Sequence, residues 1–185
     1  MSDLRLETER LILRPTAAED FDGWAALMAD DASRFIGGPV PREASWRGFM
    51  AMAGCWSLRG YGMFSMIEKA TGQWLGRTGP WYPEGWPGTE VGWGVLPSAM
   101  GKGFAYEAAV ASMDWAFDNL GWPDIIHSIA PDNAPSIALA ERLGSTYRGP
   151  SRLPSPYEHF EIGLWGQTRE QWRARRDSRS SQRAF

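Results

Sequence analysis

Residues 96–108 read Leu96-Pro97-Ser98-Ala99-Met100-Gly101-Lys102-Gly103-Phe104-Ala105-Tyr106-Glu107-Ala108. This segment joins the end of a predicted strand to the start of an alanine-rich predicted helix. Glycine adopts backbone angles that other residues resist, so a turn at Gly101 and Gly103 allows successive N–H groups to converge on an anion. The helix N-terminus adds the positive end of its dipole. The pattern predicts a phosphate-binding turn, and the alternative is a turn that only joins a strand to a helix.

The strand just before this turn has two unlike faces. Alternation over residues 89–95 places apolar side chains on one face, and Glu90, Gly92 and Gly94 on the other. Glycines inside a strand indicate a bulge or a ligand that lies close along the chain. Glu90 is therefore predicted to lie at the edge of a ligand site.

A second motif follows the helix that is predicted after the glycine turn. Residues 125–129 alternate as a strand, and a turn that contains Asn133 and Ser136 leads into a helix that ends at Gly144. Asn and Ser before a helix are ordinary capping residues. On the residues alone, helix capping accounts for this second motif.

Together these residues resemble the GCN5-related N-acetyltransferase (GNAT) superfamily, and within it the branch typified by ribosomal-protein N-terminal acetyltransferases. The resemblance begins at residues 6–15, continues through the turn at 100–105 and the motif at 133–144, and ends near Leu164. Two positions depart from the superfamily pattern. Met100 stands where glutamine or arginine is common, and Ala140 stands where many members carry the tyrosine that protonates the departing thiolate.

The resemblance implies an α/β (α+β) fold with a mixed, mostly antiparallel central sheet. It implies about six to seven strands, splayed between the two strands that flank the acetyl-CoA helix, and about four helices. Periodicity predicts strands at 11–14, 62–68, 73–78, 89–95, 125–129, from 147 onward and at 157–165, and helices at 19–28, 43–58, 104–119 and 137–143.

The chain length favours one domain. The resemblance implies that this is a single acetyltransferase domain over residues 1–168. A short C-terminal helix and a polar tail are predicted over residues 169–185. Thr168 and Gln171 form a predicted capping box for that helix, and the arginine-rich segment after it is expected to be frayed.

The resemblance implies acetyl-CoA as the cosubstrate and no metal. The pyrophosphate would lie on the N–H groups of residues 101–105, and the pantetheine arm would pair with the backbone near residues 95 and 96. A second clamp is expected at residues 133 and 136. The residues assigned to acetyl-CoA are Val95, Leu96, Met100, Gly101, Lys102, Gly103, Phe104, Ala105, Tyr106, Asn133, Ser136 and Arg142.

An amine must be neutral to attack a thioester, so some group must accept its proton. Glu90 is the first candidate for this base, and the alternative is that it only bonds a neighbouring strand or loop. His127 is the second candidate, although alternation favours a buried structural histidine. Because Ala140 has no hydroxyl, the thiolate proton is assigned to water or to Ser136.

Composition excludes several other classes of protein. A formal charge of −3 gives no sign of a surface for nucleic acid or anionic membrane. Cys55 is the single cysteine, which excludes a disulfide framework or cysteine cluster within the chain. With no signal-peptide pattern and no apolar run of spanning length, a cytoplasmic location is expected. The frequency of two-fold assemblies favours a homodimer.

Two functions remain open from the sequence. The first is an N-acetyltransferase that moves an acetyl group to a primary amine, on a protein N-terminus or a small molecule. The second is a non-catalytic acyl-CoA-binding or sensing module. A different nucleotide-binding protein is a weaker alternative, since the turn lacks the Walker lysine pattern and the three-glycine fingerprint.

The tryptophan-rich loop at 81–88 is read equally as a surface turn or as a wall of the acceptor pocket.

Overall fold

The computed structural model describes residues 4–183, with side chains through residue 178. The chain divides into two compact units. The first comprises the described residues to 81 together with 91–113, and the second comprises 82–90 together with 114–183. The single acetyltransferase domain predicted for residues 1–168 stays a prediction.

The described residues form eight strands and five α-helices. The strands are β1 (Leu6–Glu7), β2 (Leu11–Pro15), β3 (Phe64–Glu68), β4 (Trp74–Trp81), β5 (Glu90–Val95), β6 (Asp124–Ile129), β7 (Thr146–Ser151) and β8 (Ile162–Thr168). The helices are α1 (Phe21–Ala29), α2 (Arg42–Arg59), α3 (Phe104–Asn119), α4 (Ala134–Leu143) and α5 (Arg169–Arg183). Three short 3-10 helices lie at Ala18–Asp20, Asp31–Ile36 and Pro97–Ala99.

In the first unit, strands β1 to β5 lie side by side in chain order. The pairs β1/β2, β2/β3 and β3/β4 are antiparallel. Helices α1 and α2 bury one apolar cluster, because their bulky side chains recur at helical spacing. The buried members of that cluster are Trp24, Met28, Phe49, Met52 and Met63.

In the second unit, β8 lies between β6 and β7 and pairs with both in antiparallel register. Glu90, the first residue of β5, belongs to this unit and pairs with Ile126 of β6 in parallel register. The sheet is therefore mixed and mostly antiparallel, as predicted. Helix α4 follows β6, and Gly144 ends it in a left-handed conformation with φ 97°.

The strand count exceeds the predicted six to seven because the chain turns between residues 8 and 10. Thr8 N–H donates to the Leu11 carbonyl at 3.0 Å, and Leu11 N–H donates to Thr8 Oγ1 at 3.0 Å. These bonds close a small hairpin, which adds β1 before the strand predicted at residues 11–14. The α-helices number five where about four were predicted.

Two C-terminal boundaries also differ from prediction. Turns at residues 154–160, with Tyr157 N–H on the Pro154 carbonyl at 2.8 Å, delay the last strand from residue 157 to Ile162. The capping box of α5 is confirmed, since Thr168 N–H donates to Gln171 Oε1 at 2.8 Å and Gln171 N–H donates to Thr168 Oγ1 at 3.2 Å. Helix α5 continues to Arg183, so the segment expected to be frayed is helical. Residues 184–185 of the predicted tail lie outside the described residues.

Candidate active site

The turn before α3 has the backbone geometry of an anion site. Gly101 and Gly103 adopt φ of 72° and 82°, a left-handed region that favours glycine. The first hydrogen bond of α3 joins Glu107 N–H to the Gly103 carbonyl at 3.1 Å. Helix geometry therefore leaves the N–H groups of residues 103–105 without intrahelical acceptors. Together with the helix dipole, they suit a phosphate group.

Two other predicted cofactor residues near this turn, Met100 and Leu96, have their backbone N–H groups bonded within the protein. Met100 N–H donates to the Pro97 carbonyl at 3.2 Å, and its side chain is exposed. Leu96 N–H donates to the Leu75 carbonyl at 2.8 Å, so it is not available to a bound ligand. Val95 is half-buried at the end of β5.

The glycine-lined face of β5 is partly filled by the protein itself. A Cβ atom on Gly94 would lie 3.0 Å from Ile36 Cδ1 and 3.7 Å from Leu27 Cδ2. The close approach of these side chains explains a glycine at this position without a ligand.

Glu90 is buried at the start of β5, with 7% of its surface exposed. Trp86 Nε1–H donates to Glu90 Oε2 at 2.7 Å. The tryptophan-rich loop thus holds the predicted base through one of its indoles, a contact that the sequence did not predict.

The second motif lies at the start of α4, where it caps the helix. Asn133 Oδ1 accepts from Ser136 N–H at 3.3 Å, and the Asn133 carbonyl accepts from Ile137 N–H at 3.1 Å. The amide nitrogen of Asn133 is the part of its side chain left to offer a ligand. Arg142 lies nine residues along the chain, about 13 Å up the helix axis, so the structure does not bring it beside Asn133 and Ser136.

His127 lies in the interior of the second unit, with 1% of its surface exposed. Its Nε2 is within hydrogen-bond distance of Ser145 Oγ, at 3.0 Å. Ser145 Oγ accepts a hydrogen bond from Gln167 Nε2–H at 2.9 Å. Strand β8 supplies Gln167, and Ser145 follows α4. Buried polar side chains that hydrogen-bond one another are usually structural.

The family follows from comparison with known proteins. A family model described as an acetyltransferase (GNAT) domain matches residues 10–146, well over half of the chain. The chain belongs to the GNAT acetyltransferase family. It is therefore an acyltransferase.

Individual relatives agree with this assignment. An uncharacterized N-acetyltransferase, p20, from Bacillus licheniformis is 31% identical over 148 residues, covering 78% of this chain and 83% of its own. A crystal structure of an acetyltransferase from Agrobacterium tumefaciens has 33% identity and a TM-score of 0.81, covering 91% of this chain and 96% of its own. A ribosomal-protein-S5-alanine acetyltransferase from Vibrio fischeri has the same fold, with a TM-score of 0.68 at 17% identity, covering 92% of this chain and 99% of its own.

The position of Ala140 bears on the chemistry open to this GNAT acetyltransferase. Ala140 is fully buried in α4. Its methyl side chain has no hydroxyl to offer a leaving thiolate. Within residues 4–183, no cluster of three or more His, Cys, Asp or Glu side chains could hold a metal ion.

In the same range, no helix is long and apolar enough to cross a membrane.

Helix α3 carries a charged residue one turn after the glycines. Glu107 Oε1 accepts from Arg10 N–H at 2.7 Å and also from the Thr8 hydroxyl, and Glu107 Oε2 accepts from Arg10 Nε–H at 2.7 Å. Burial alone would raise the pKa of Glu107, but these hydrogen bonds and the charge of Arg10 hold that pKa below its ordinary value. The carboxylate therefore stays charged in mildly acidic solution.

We expect Glu107 to make the stability of the protein depend on pH. Because the folded pKa is lowered, its contribution is fully present above the ordinary value of 4.5 and is lost as pH falls through the folded pKa. Glu107→Gln should lower the free energy of unfolding at pH 7, and the difference from wild type should narrow in acid. Urea unfolding at several pH values measures this, and a difference that is constant with pH would contradict it.

Proposed function

We propose that this GNAT acetyltransferase moves the acetyl group of acetyl-CoA to a primary amine by direct attack. The carrying observation is the left-handed turn at Gly101 and Gly103 with the N–H groups of residues 103–105 at the start of α3. The acceptors that we propose are a protein N-terminus or a small amine, in line with the branch that the sequence resembles.

The residues present fit acetyl-CoA at the turn. N–H groups without intrahelical acceptors, glycines without side chains and the positive helix end together suit a pyrophosphate. Residues 101–105 would hold that group, and the backbone near Val95 would line the pantetheine arm. Asn133 would offer its amide nitrogen, since its Oδ1 already caps α4.

We assign to Glu90 the role of the general base that accepts the proton of the acceptor amine. An α-amino group has an ordinary pKa of about 7.7–8.0 and a lysine amine about 10.4, so most acceptors are protonated at neutral pH. Glu90 would take this proton as the amine nitrogen bonds to the acetyl carbon and the carbon–sulfur bond breaks. A backbone N–H near Val95 would stabilise the negative charge on the acetyl oxygen.

The sulfur leaves as a thiolate and needs a proton in turn. Because Ala140 has no hydroxyl, we assign this proton to water or to Ser136 at the start of α4. His127 remains the second candidate base. Its burial against Ser145 favours a structural role instead.

The alternative is an acyl-CoA-binding module that has lost turnover, and Ala140 is the observation that favours it. Thiol release from acetyl-CoA, measured with a panel of N-terminal peptides and small amines, distinguishes the two functions. An acetyltransferase releases one thiol for each acceptor molecule that gains an acetyl group, which mass spectrometry of the product detects. A binding module gives a calorimetric Kd for CoA and no thiol above the uncatalysed rate.

The glycine turn gives a matched pair of variants. Gly101 and Gly72 both have φ 72°, and neither has an atom within 4 Å of a Cβ placed on it. Valine is strained at such angles, so Gly101→Val should displace the turn and raise the Kd for CoA at least tenfold, about 1.4 kcal/mol. Isothermal calorimetry measures the change.

Gly72→Val is the control for this prediction. It introduces the same strain in the turn between β3 and β4, so it should cost similar stability and leave CoA affinity unchanged. Equal affinities in wild type and Gly101→Val would remove the turn from the proposed site.

A further inference from the structure

Arg10 contacts the glycine turn from a distant part of the sequence. It lies between β1 and β2, and its Nη1–H donates to the Lys102 carbonyl at 3.0 Å. Its guanidinium carbon lies 4.4 Å from the centre of the Phe104 ring, and its Nε bonds Glu107 at 2.7 Å. One side chain thus holds the turn and both ends of the first turn of α3.

The contact with Lys102 determines where a neighbouring N–H group points. The carbonyl of Lys102 and the N–H of Gly103 belong to one peptide unit. Because that unit is planar and trans, its C=O and N–H point in opposite directions. When Arg10 fixes the carbonyl, the Gly103 N–H points away from the Arg10 guanidinium that binds that carbonyl.

The charge of Arg10 is already compensated in this arrangement. Glu107 receives both its Nε–H and its backbone N–H, and the Thr8 hydroxyl orients the same carboxylate. Leu11 N–H in turn bonds Thr8 Oγ1 at 3.0 Å, which fixes the hairpin that carries Arg10. This set of bonds favours a role in geometry over a role as a free cation for phosphate.

We propose that Arg10 is a positioning residue for acetyl-CoA: it locks the Lys102–Gly103 peptide so that the N–H groups of the turn face the pyrophosphate. This inference rests on the proposed function. It adds a residue outside the glycine motif to the acetyl-CoA site, and it assigns that residue an effect on binding and not on the chemical step.

The test compares two thioesters that differ in the pyrophosphate. Acetyl-CoA carries that group, and S-acetylpantetheine lacks it together with the nucleotide. In Arg10→Ala we expect KM for acetyl-CoA to rise about tenfold with kcat at saturation within twofold of wild type. KM for S-acetylpantetheine should not change, whereas general damage to the fold would affect both thioesters.

Arg10→Lys separates position from charge. Lysine keeps the positive charge beside Glu107 and its stem can cover Phe104, but one ammonium cannot reproduce the fork of a guanidinium. We expect this variant to fold and to raise KM for acetyl-CoA as the alanine does. Full recovery by lysine would overturn the proposal, because charge alone would then suffice.

Arg148→Ala is the matched control. Arg148 in β7 forms two 2.7 Å bonds with Asp124, a comparable ion pair in the other unit, and its loss should leave both KM values unchanged. An unchanged KM for acetyl-CoA in Arg10→Ala, or an equal rise for both thioesters, overturns the proposal. If wild type releases no thiol, the proposed function fails, and calorimetric Kd values for CoA and pantetheine test Arg10 by the same comparison.

Discussion

Glu90→Gln is expected to lower kcat about 10²-fold or more, the usual effect of losing a positioned general base. The affinity for acetyl-CoA should barely change, since the carboxylate is assigned to the acceptor side. Glutamine keeps the size of the side chain and an oxygen for the 2.7 Å bond from Trp86, so the loss reports the missing proton acceptor. Steady-state thiol release and calorimetry measure the two quantities.

The pH dependence gives this prediction a second, independent measurement. As pH rises, more of the amine is neutral without help, so the defect of Glu90→Gln should shrink between pH 6 and pH 9, roughly the range in which α-amino groups titrate. Glu84→Gln is the control, because Glu84 is an exposed carboxylate of the same loop. Full activity of Glu90→Gln at every pH would transfer the role of base to His127 or solvent.

Trp86 allows the orientation of the base to be tested apart from its charge. Trp86→Phe removes the indole N–H that bonds Glu90 and keeps an aromatic ring in the loop. Its kcat should fall less than that of Glu90→Gln, because the carboxylate is retained and only its position is loosened. A similar ring change at the exposed Tyr82 should have no such effect.

Local patterns explain why the central helix could be predicted from sequence. Helix α3 runs from Phe104 to Asn119, as predicted, because the glycines mark its start and alanines and aromatics recur at helical spacing after it. The end of α4 at Gly144 has the same origin, a glycine in a left-handed cap. These signals lie within a few residues of the element that they define.

The side-chain contacts of the candidate site residues could not be predicted in the same way. Arg10 and Lys102 are 92 residues apart in the chain, so no local pattern links them. Alternation correctly placed His127 inside, but its partner Ser145 lies 18 residues away, after α4. Trp86 is only four residues from Glu90, yet a loop has no periodicity that would show which of its aromatics turns back.

The largest change in the free energy of unfolding is expected from a substitution of the buried tryptophan of helix α5. Trp172 is 3% exposed, packs with its ring centre 6.4 Å from that of Phe117, and donates from Nε1 to Asp114 Oδ1 at 2.7 Å. Arg176 bonds the other oxygen of Asp114 at 3.0 Å. Burial raises the pKa of Asp114, although the Trp172 bond and the Arg176 charge partly offset this effect. The ring therefore covers both apolar surface and a carboxylate on α3.

Trp172→Ala should lower the free energy of unfolding by about 3–5 kcal/mol, the usual cost of truncating a large buried aromatic. The loss combines a cavity beside Phe117 with an Asp114 carboxyl that has lost one hydrogen-bond donor. Urea unfolding followed by far-ultraviolet circular dichroism measures it without relying on tryptophan fluorescence.

Arg173→Ala on the same helix is the control. Its ion pair with Asp118 is 3.3 Å long and more than half exposed on both sides, so its loss should change stability by no more than about 0.5 kcal/mol. A Trp172→Ala variant as stable as Arg173→Ala would mean that α5 is only loosely attached to α3. The predicted difference would show that the buried Trp172 indole contributes more to the attachment of α5 than the exposed ion pair of Arg173 does.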